Sequence, residues 1–462
     1  MKILFAASEV VGFAKTGGLA DVCGALPLAL EDLGHQVVIV LPKYKCVQDK
    51  KIKMFKSGKD LSYALIGKNI RVYFIDNNAY FNRPGLYGDK TKDYTDNLER
   101  FSFYCRKSLE LLKEINFKAE IIHIHDWQAS LIPVYLKNIF NKDPFYADMC
   151  TVLTIHNLGY QGIFVKDEFE KLGLDWEIFN PDQLEFYGKI NLLKGGIVYA
   201  DIVNTVSVTY SKEILEPELG FGLEGVLREK KDKLYGVLNG LDYSIWDPNT
   251  DKNICCNFSA KSSTDKAYDK EDLQKLSGLP VKADIPLIGM VSRIAEHKGF
   301  DILTLGLDEI CAQKVQLVIL GTGDLKYHRA LEIAAAKYPK KISLTLDFND
   351  VLAHKIYAGA DIFLMPSAYE PCGLGQLIAL RYGTIPLVFK TGGLADTINP
   401  SNGFVFSQYN KGALVSTIKK ALAVFSSRKQ SAALIQKAMR CNFSWEASAK
   451  KYSQLYVKAK AG

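Results

Sequence analysis

Short runs of apolar and β-branched residues alternate with longer helical patterns along most of the chain. This alternation is typical of βαβ units, in which helices join successive parallel strands. In the first half the pattern predicts strands near 2–8, 36–41, 71–76, 120–126, 151–156, 202–207 and 235–239. In the second half it predicts strands near 285–291, 315–321, 342–347, 361–366 and 385–389. The sequence therefore predicts an α/β protein with two doubly wound parallel sheets.

The length of the chain favours two domains, because 462 residues exceed what one hydrophobic core normally organises. A polar, Lys- and Asp-rich stretch with little strand pattern predicts a linker region over 246–283. The resulting domains are 1–245 and 284–444, followed by a C-terminal segment over 445–462. Aromatic residues recur at helical spacing in that last segment, so we expect a helix that packs onto the surface of the protein.

Composition and charge exclude several function classes. Hydrophobic residues make up 48% and charged residues 24%, as in globular rather than disordered or fibrous proteins. The net charge of +7 is spread without a block of like charges, which disfavours a nucleic-acid partner. The nine cysteines lack metal-binding spacing and indicate reduced thiols. Glu9 interrupts the first apolar run and no stretch is long enough to cross a bilayer, so we expect a cytoplasmic protein without a membrane partner.

The heptapeptide KTGGLAD occurs twice, at 15–21 and at 390–396. Each copy follows a predicted strand and opens a helix, which places it at the carboxyl edge of a sheet, where open α/β folds bind ligands. Paired glycines let the backbone approach a ligand, free N–H groups at the helix start attract an anion, and the lysine adds a positive charge. The first copy is the better candidate for ligand binding, and a plain strand-to-helix turn is the alternative reading of both.

Polar residues also follow two other strands of the first half. His123 and His125 alternate onto one face of a strand, but suitable third and fourth ligands are missing, so we expect no metal. Asp126 at the end of that strand is suited to accept a hydrogen bond from a hydroxyl group. His156 and Asn157 end the next strand, and neighbouring strand ends with such residues favour a functional site.

The second half carries charges suited to a sugar diphosphate. Arg293 and Lys298 lie in the loop after its first strand and can offset the charge that develops on a leaving phosphate. Glu370 lies in a Pro-containing turn where a carboxylate can bind sugar hydroxyls, and Gly373 and Leu374 begin the next helix. The chain has no DxD motif to hold a metal, so these cations and helix starts have to neutralise the diphosphate.

Taken in order, these segments resemble the bacterial glycogen synthases and the related plant starch synthases over essentially the whole chain. The matching segments are KTGGLADV, HIHDW, TIHNLGYQGIF, NTVS, LNGLD, SRIAEHKG, GTGD, EPCGLGQ, TGGLADT and FSWEASAKKYSQLY. The resemblance implies the GT-B fold, with two Rossmann-like domains facing a deep cleft and the C-terminal helix packing back on the N-terminal domain. It further implies a retaining hexosyltransferase, which moves glucose from ADP-glucose to the non-reducing end of an α-1,4-glucan such as glycogen or a maltooligosaccharide. No metal or other cofactor is expected.

The resemblance also implies a role for each matching residue. Those implied to be catalytic are His156, Glu370, Arg293, Lys298 and Asp126. Those implied to bind substrate are Lys15, Gly17, Gly18, Asp21, Asn157, Asn239, Phe348, Cys372, Gly373 and Leu374. Because no second carboxylate is evident near Glu370, we expect same-face attack, in which the departing phosphate oxygen takes the proton of the acceptor.

The chain departs from the family pattern at four positions, and alternatives remain. The family usually has Thr at Gly375, Arg at Ala368, Gln at His297 and Pro at Val208. The hydroxyl group missing at Gly375 affects the phosphate-binding helix start. One alternative function is a glycan- or nucleotide-sugar-binding homologue with impaired catalysis. Another is an NAD-dependent dehydrogenase, although no GxGxxG motif follows the first strand. The choice between ADP and UDP, the oligomeric state and the role of the second KTGGLAD stay open.

Overall fold

A computed structural model describes residues 1–50, 52–57, 61–89 and 92–462. The chain forms two compact units, each with its own buried hydrophobic residues. The first unit comprises Met1–Gly240 and Trp445–Gly462, and the second comprises Leu241–Ser444.

The first unit is built on a nine-stranded sheet and a small three-stranded sheet. Its strands are β1 (Lys2–Ala6), β2 (Gln36–Pro42), β3 (Phe55–Ser57), β4 (Leu61–Ile66), β5 (Ile70–Ile75), β6 (Ile121–His125), β7 (Cys150–Ile155), β8 (Ile163–Val165), β9 (Glu185–Phe186), β10 (Lys189–Asn191), β11 (Ile202–Thr205) and β12 (Leu234–Gly236). The large sheet has the order β12-β11-β7-β6-β1-β2-β5-β4-β3, and the small one β8-β10-β9.

The seven strands predicted in the first half are all present and pair in parallel. Strands β1, β2 and β5 are largely buried apolar runs, as expected for strands covered on both faces, whereas β6 and β11 also contain buried polar residues. The antiparallel strands β3 and β4 and the small sheet were not predicted, because β3 and the strands of the small sheet have only two or three residues and β4 is only partly buried.

The helices of the first unit connect these strands. They are α1 (Gly18–Asp32), α2 (Lys45–Gln48), α3 (Asn78–Phe81), α4 (Asn97–Glu114), α5 (Asp126–Ala129), α6 (Leu131–Asn138), α7 (Leu192–Tyr199), α8 (Val208–Glu213), α9 (Pro217–Gly220) and α10 (Glu224–Glu229). Short 3₁₀ helices lie at Lys166–Leu172, Trp176–Ile178 and Lys231–Lys233.

The second unit has one parallel sheet of six strands. They are β13 (Leu287–Val291), β14 (Gln316–Leu320), β15 (Ile342–Thr345), β16 (Ile362–Met365), β17 (Ile385–Phe389) and β18 (Phe404–Phe406). Their order, β15-β14-β13-β16-β17-β18, is the 3-2-1-4-5-6 order of a doubly wound dinucleotide-binding sheet. Five of the six strands were predicted, and the three-residue edge strand β18 was not.

The helices of the second unit include one in the predicted linker. They are α11 (Lys266–Leu276), α12 (Phe300–Cys311), α13 (Leu325–Lys337), α14 (Asp350–Gly359), α15 (Gly375–Arg381), α16 (Gly392–Thr397), α17 (Lys411–Phe425) and α18 (Arg428–Met439). Single 3₁₀ turns lie at Ser263–Asp265 and Glu296–Lys298.

The stretch predicted as a linker over 246–283 is instead part of the second unit, which begins at Leu241. Phe258 and Leu273 are buried in its core. Asp251 accepts hydrogen bonds from His354 Nδ1 (2.7 Å) and from the hydroxyl group of Tyr382 (2.5 Å). The prediction failed because polar groups that are buried with hydrogen-bond partners look like a solvated loop in the sequence.

The C-terminal helix α19 (Trp445–Ala461) packs on the first unit, as expected. Tyr456 is fully buried, and its hydroxyl group lies 2.8 Å from His123 Nδ1 on β6. Ser448 Oγ donates a hydrogen bond to Leu238 O at 2.7 Å. No helix among the described residues is both long enough and apolar enough to span a membrane.

Strand order determines where each unit can bind a ligand. In the first unit the order reverses direction between β1 and β6, and in the second between β13 and β16. Open α/β sheets bind ligands outside the carboxyl ends of the strands at such switch points. The loops after these four strands are therefore the candidate sites.

Candidate active site

The first KTGGLAD copy follows β1 and opens α1, as predicted. The buried carboxylate of Glu9 accepts hydrogen bonds from Thr16 N and Thr16 Oγ1, both at 2.5 Å, and from Gly17 N at 3.1 Å. The hydroxyl group of Tyr87 donates to the same carboxylate at 2.7 Å. The expectation of free N–H groups is therefore wrong for Thr16 and Gly17, because the chain supplies its own anion at this helix start.

The lysine and the glycines of the first copy are accessible. Lys15 Nζ lies 2.7 Å from Asp21 Oδ1, and the two side chains are 50% and 32% exposed. Ion pairs this exposed add little to stability, so Lys15 can exchange Asp21 for another anion at small cost. A Cβ atom added to Gly17 or Gly18 meets no described atom within 4 Å. Ligand binding by these four residues stays a prediction.

Asp126 and His156 come together at the carboxyl ends of β6 and β7. His156 N donates a hydrogen bond to Asp126 Oδ1 at 2.7 Å. Asp126 has a φ of 55°, an uncommon conformation for a residue with a side chain and one that clusters at functional sites. Burial, together with the charge of Glu9, raises the pKa of Asp126 to about 7. The hydrogen bond from His156 N acts in the opposite direction and lowers this pKa.

Three neutral histidines lie side by side, with His123 and His125 buried and His156 partly buried. His125 Nδ1 and His156 Nε2 share a hydrogen bond of 3.0 Å, and the rings of His123 and His125 lie 4.2 Å apart. Burial lowers the pKa of His156 to about 3 and holds the pKa values of His123 and His125 well below their usual range. His123 also bonds Thr154 Oγ1 at 2.7 Å. Nowhere in the described part of the chain do three or more His, Cys, Asp or Glu residues cluster as metal ligands.

Two asparagines of the first unit were also assigned to substrate. Asn157 is partly exposed after β7, and its Oδ1 accepts a hydrogen bond from Gly159 N at 2.9 Å. Asn239 is buried, and its Oδ1 accepts no hydrogen bond from any described residue. A buried acceptor without a partner is uncommon in folded proteins, so Asn239 has capacity for a ligand donor.

In the second unit, a cation and a carboxylate meet at the switch point. Lys298 follows β13, Glu370 follows β16, and Lys298 Nζ lies 2.6 Å from Glu370 Oε2. The side chains are only 22% and 10% exposed. Ser367 Oγ donates a second hydrogen bond to the same oxygen at 3.0 Å. The lysine and the serine thus hold the carboxylate through one of its two oxygens.

Arg293 lies near Lys298 in sequence but differs in environment. It is exposed and forms no ion pair with any described residue. The loop that contains Arg293 packs closely against the backbone at Gly321, because a Cβ atom added to Gly321 would lie 1.9 Å from Ser292 O. Ala368 N also donates to His297 O at 2.9 Å, which joins the loops after β13 and β16. The guanidinium group of Arg293 is thus available to bind an anion, and the backbone that carries Arg293 is held in place.

The start of α15 is tightly packed. Cys372 is buried, whereas Gly373 and Leu374 are partly exposed ahead of the first helical residue, Gly375. A Cβ atom at Gly375 would lie 2.9 Å from the Phe363 ring, so a larger residue requires that ring to move. The departure from the family's Thr therefore coincides with a site that leaves no room for a side chain.

Phe348 lies in the loop after β15 and is 82% exposed. Its ring is therefore accessible for stacking with a planar group, and the nucleoside role implied for it stays a prediction.

The second KTGGLAD copy has a different environment from the first. It follows β17 and opens the six-residue helix α16, as predicted. Gly393 N donates to Glu370 O at 3.1 Å and to Pro371 O at 3.2 Å. This loop therefore contacts the backbone of the Glu370 turn.

Sequence reasoning missed three contributors to these sites: Glu9, Tyr87 and Ser367. A carboxylate within the apolar run after the first strand was the available signal for Glu9, because an acidic group there requires partners. Ser367 precedes Glu370 by one turn's length, which was a weaker signal. Nothing in the local sequence pointed to Tyr87, since it comes from a distant loop.

Comparison with known proteins covers the whole chain. Residues 2–229 match the family described as the starch synthase catalytic domain, and residues 274–439 match glycosyl transferases group 1. The chain is 48% identical to a glycogen synthase of Geotalea uraniireducens, over 99% of this chain and 98% of that protein.

Solved structures agree with this match. The catalytic domain of starch synthase IV from Arabidopsis thaliana, bound to ADP and acarbose, has a TM-score of 0.89 and 31% identity, over 100% of this chain and 99% of that one. A sucrose-phosphate synthase from Thermosynechococcus elongatus has a TM-score of 0.62 and 18% identity, over 100% and 99%, and shows the fold alone. Both units are Rossmann-like, as in GT-B glycosyltransferases.

Proposed function

Because the chain belongs to the glycogen and starch synthase family, we propose that it transfers glucose from ADP-glucose to the non-reducing end of an α-1,4-glucan, with retention of anomeric configuration. Members of this family are glycosyltransferases. The comparisons give no support to a homologue with impaired catalysis.

The observation that carries the proposal is the Lys298–Glu370 pair at the switch point of the second sheet, 2.6 Å apart and mostly buried. A buried carboxylate held by one lysine and one serine has oxygen lone pairs left to accept hydrogen bonds from sugar hydroxyls. The ammonium group of Lys298, which pairs with Glu370, can also pair with the phosphate of a ligand bound beside it. This site therefore suits a molecule that carries both a sugar and a phosphate.

The second unit supplies the charge stabilisation in this proposal. As the bond from the glucose carbon to the phosphate oxygen breaks, negative charge develops on ADP, and Arg293 and Lys298 stabilise it. Cys372, Gly373 and Leu374 lie beside the transferred glucose, and Phe348 stacks on the adenine base. No metal or other cofactor takes part in the proposed reaction.

The first unit supplies neutral polar groups in this proposal. His156 stays unprotonated at neutral pH because its pKa is about 3, so it adds no repulsion to a carbon that gains positive charge. Its backbone carbonyl group steadies that carbon, while Asp126 fixes the backbone through the 2.7 Å hydrogen bond to His156 N. Lys15, Gly17, Gly18 and Asp21 contact the donor, and Asn157 and Asn239 contact its sugar and its nucleoside.

Retention follows from same-face attack. The acceptor hydroxyl oxygen forms the new bond to the glucose carbon on the face that ADP leaves, and the departing phosphate oxygen takes the hydroxyl proton. No enzyme nucleophile is required, in contrast to the carboxylate pair of retaining glycosidases.

The test is transfer of labelled glucose from ADP-glucose or UDP-glucose to glycogen and to short maltooligosaccharides. We expect ADP-glucose to be the better donor by a wide margin. Failure of both donors at high enzyme concentration refutes the proposed activity and favours the binding homologue.

The roles in the second unit are tested by K298A and E370Q. Loss of one preorganised charge partner costs about 10²- to 10³-fold in kcat. K337A is the matched control, because Lys337 also pairs with a carboxylate, Asp308, at 2.8 Å but lies at the end of α13. Equal effects of K298A and K337A contradict a specific role for Lys298.

A further inference from the structure

The two copies of KTGGLAD are identical in sequence, but their glycines face different surroundings. At Gly17 and Gly18 an added Cβ atom meets nothing among the described atoms within 4 Å. At Gly392 it would lie 2.0 Å from Glu370 O, and at Gly393 it would lie 2.1 Å from Cys372 O. The second pair of glycines is therefore required by close backbone packing rather than by an open ligand surface.

Hydrogen bonds connect the same two segments. Gly393 N is shared between Glu370 O and Pro371 O, at 3.1 and 3.2 Å. This N–H group is thus already used within the protein, and α16 has only six residues. In the second copy, the N–H group of Gly393 is therefore occupied by the backbone of the Glu370 turn rather than open to an anion.

Side chains of neighbouring helices hold the loop that contains Gly392 and Gly393 in place. Thr397 is buried, and its hydroxyl group donates to Gly393 O at 2.6 Å. Gln376 Nε2 donates to Cys372 O at 2.9 Å and to Gly373 O at 3.0 Å, and approaches Thr397 Oγ1 at 3.4 Å. One buried network therefore joins α16, the glycine loop and the segment from Glu370 to Gly373.

We propose that the second KTGGLAD copy positions Glu370: Gly392 and Gly393 lock the backbone of the Glu370 turn and thereby set where its carboxylate meets Lys298 and the donor sugar. Gly392, Gly393 and Thr397 are positioning residues, which contact no substrate. The inference rests on the proposed function, because Glu370 is assigned to the transferred glucose there.

The primary variant is G393A, whose new methyl group is incompatible with Cys372 O unless the turn moves. Misplacement of a catalytic group by about 1 Å can cost about 10²-fold, so we expect kcat to fall by about that factor. In an E370Q background we expect G393A to cause little further loss, because coupled residues are not additive. Full additivity of the two effects overturns the proposal.

A milder pair of variants covers the case in which G393A does not fold. T397V has nearly the shape of Thr and lacks the hydroxyl group that holds Gly393 O, whereas T397S keeps it. We expect kcat to fall several-fold in T397V and to stay near the wild-type value in T397S. Equal activity of T397V and T397S contradicts the proposal.

K390A is the control within the same loop. Lys390 is exposed, and only its side chain changes in this variant. We expect wild-type kcat and KM for ADP-glucose. A loss as large as that of G393A means that the loop acts on a ligand through its charge, and refutes a positioning role.

A crystal structure of G393A separates this inference from the proposed function. We expect the Glu370 turn to be displaced while β16 and β17 keep their positions. An unmoved turn refutes the positioning role, whatever the transfer assay shows. Absence of glucose transfer in the wild-type protein instead refutes the proposed function and leaves the structural readout intact.

Discussion

Asp126→Asn tests the electrostatics of the first unit, since this carboxyl group is costly to ionise in the folded state. Its pKa rises from 3.8 to about 7, mainly through burial. Raising a pKa by one corresponds to about 1.4 kcal/mol, so ionised Asp126 destabilises the folded protein by about 4 kcal/mol. Asn keeps the oxygen that accepts the hydrogen bond from His156 N and carries no charge.

The direction in which stability changes with pH follows from proton binding. A raised pKa means that the folded protein holds the proton longer than the unfolded chain does, so its stabilising contribution is complete below pH 3.8 and lost as the pH rises through about 7. The difference in unfolding free energy between D126N and wild type is therefore near zero at pH 4 and grows to about 4 kcal/mol in favour of D126N at pH 8.

The assay is urea unfolding followed by tryptophan fluorescence. Trp127, Trp176 and Trp445 lie in the first unit and Trp246 in the second, so a W246F background restricts the signal to the unit that contains Asp126. D148N is the control, because the salt bridge to Lys118 lowers the pKa of exposed Asp148, and its pH trend is opposite in sign. A D126N difference that does not change between pH 4 and pH 8 refutes the reasoning.

Three further outcomes are expected. Y456F leaves His123 Nδ1 without its 2.8 Å partner and lowers the unfolding free energy by about 1–3 kcal/mol in urea denaturation. D251N lowers the melting temperature at pH 7. Burial raises the pKa of Asp251, but the hydrogen bonds from His354 and Tyr382 outweigh burial and lower this pKa overall, so the ionised carboxylate stabilises the fold. The loss of melting temperature therefore shrinks as the pH falls below 3.8. A chelator leaves the initial rate of glucose transfer unchanged, whereas a fall in that rate contradicts the proposed charge stabilisation by Arg293 and Lys298.

Strand positions were the most predictable part of the fold. Parallel strands that are buried on both faces are mostly continuous apolar runs, so β1, β2 and β13 stand out in the sequence. Ligands bind at the carboxyl ends of such strands, and this rule places Asp126, Lys298 and Glu370 at the switch points and His156 at the end of the neighbouring strand β7.

The parts that failed depend on distant partners. Lys266 falls in the stretch predicted as a polar linker, yet it is buried and donates a hydrogen bond to Thr384 Oγ1 at 2.7 Å. Burial lowers the pKa of Lys266 to about 7. Likewise, the N–H groups of the first KTGGLAD copy looked available because Glu9 and Tyr87 could not be placed beside it. The local sequence shows which groups are polar, but it does not show which distant residues are their hydrogen-bond partners.

The packing of α19 on the first unit has a consequence for biosynthesis. His123 belongs to a strand made early, whereas its partner Tyr456 is translated only after the entire second unit. On the ribosome, the first Rossmann-like body to emerge is therefore the last to acquire its full set of contacts. A nascent chain halted before codon 445 leaves the surface of α1 that contacts α19 uncovered, and incompletely packed chains of this kind are prone to aggregation.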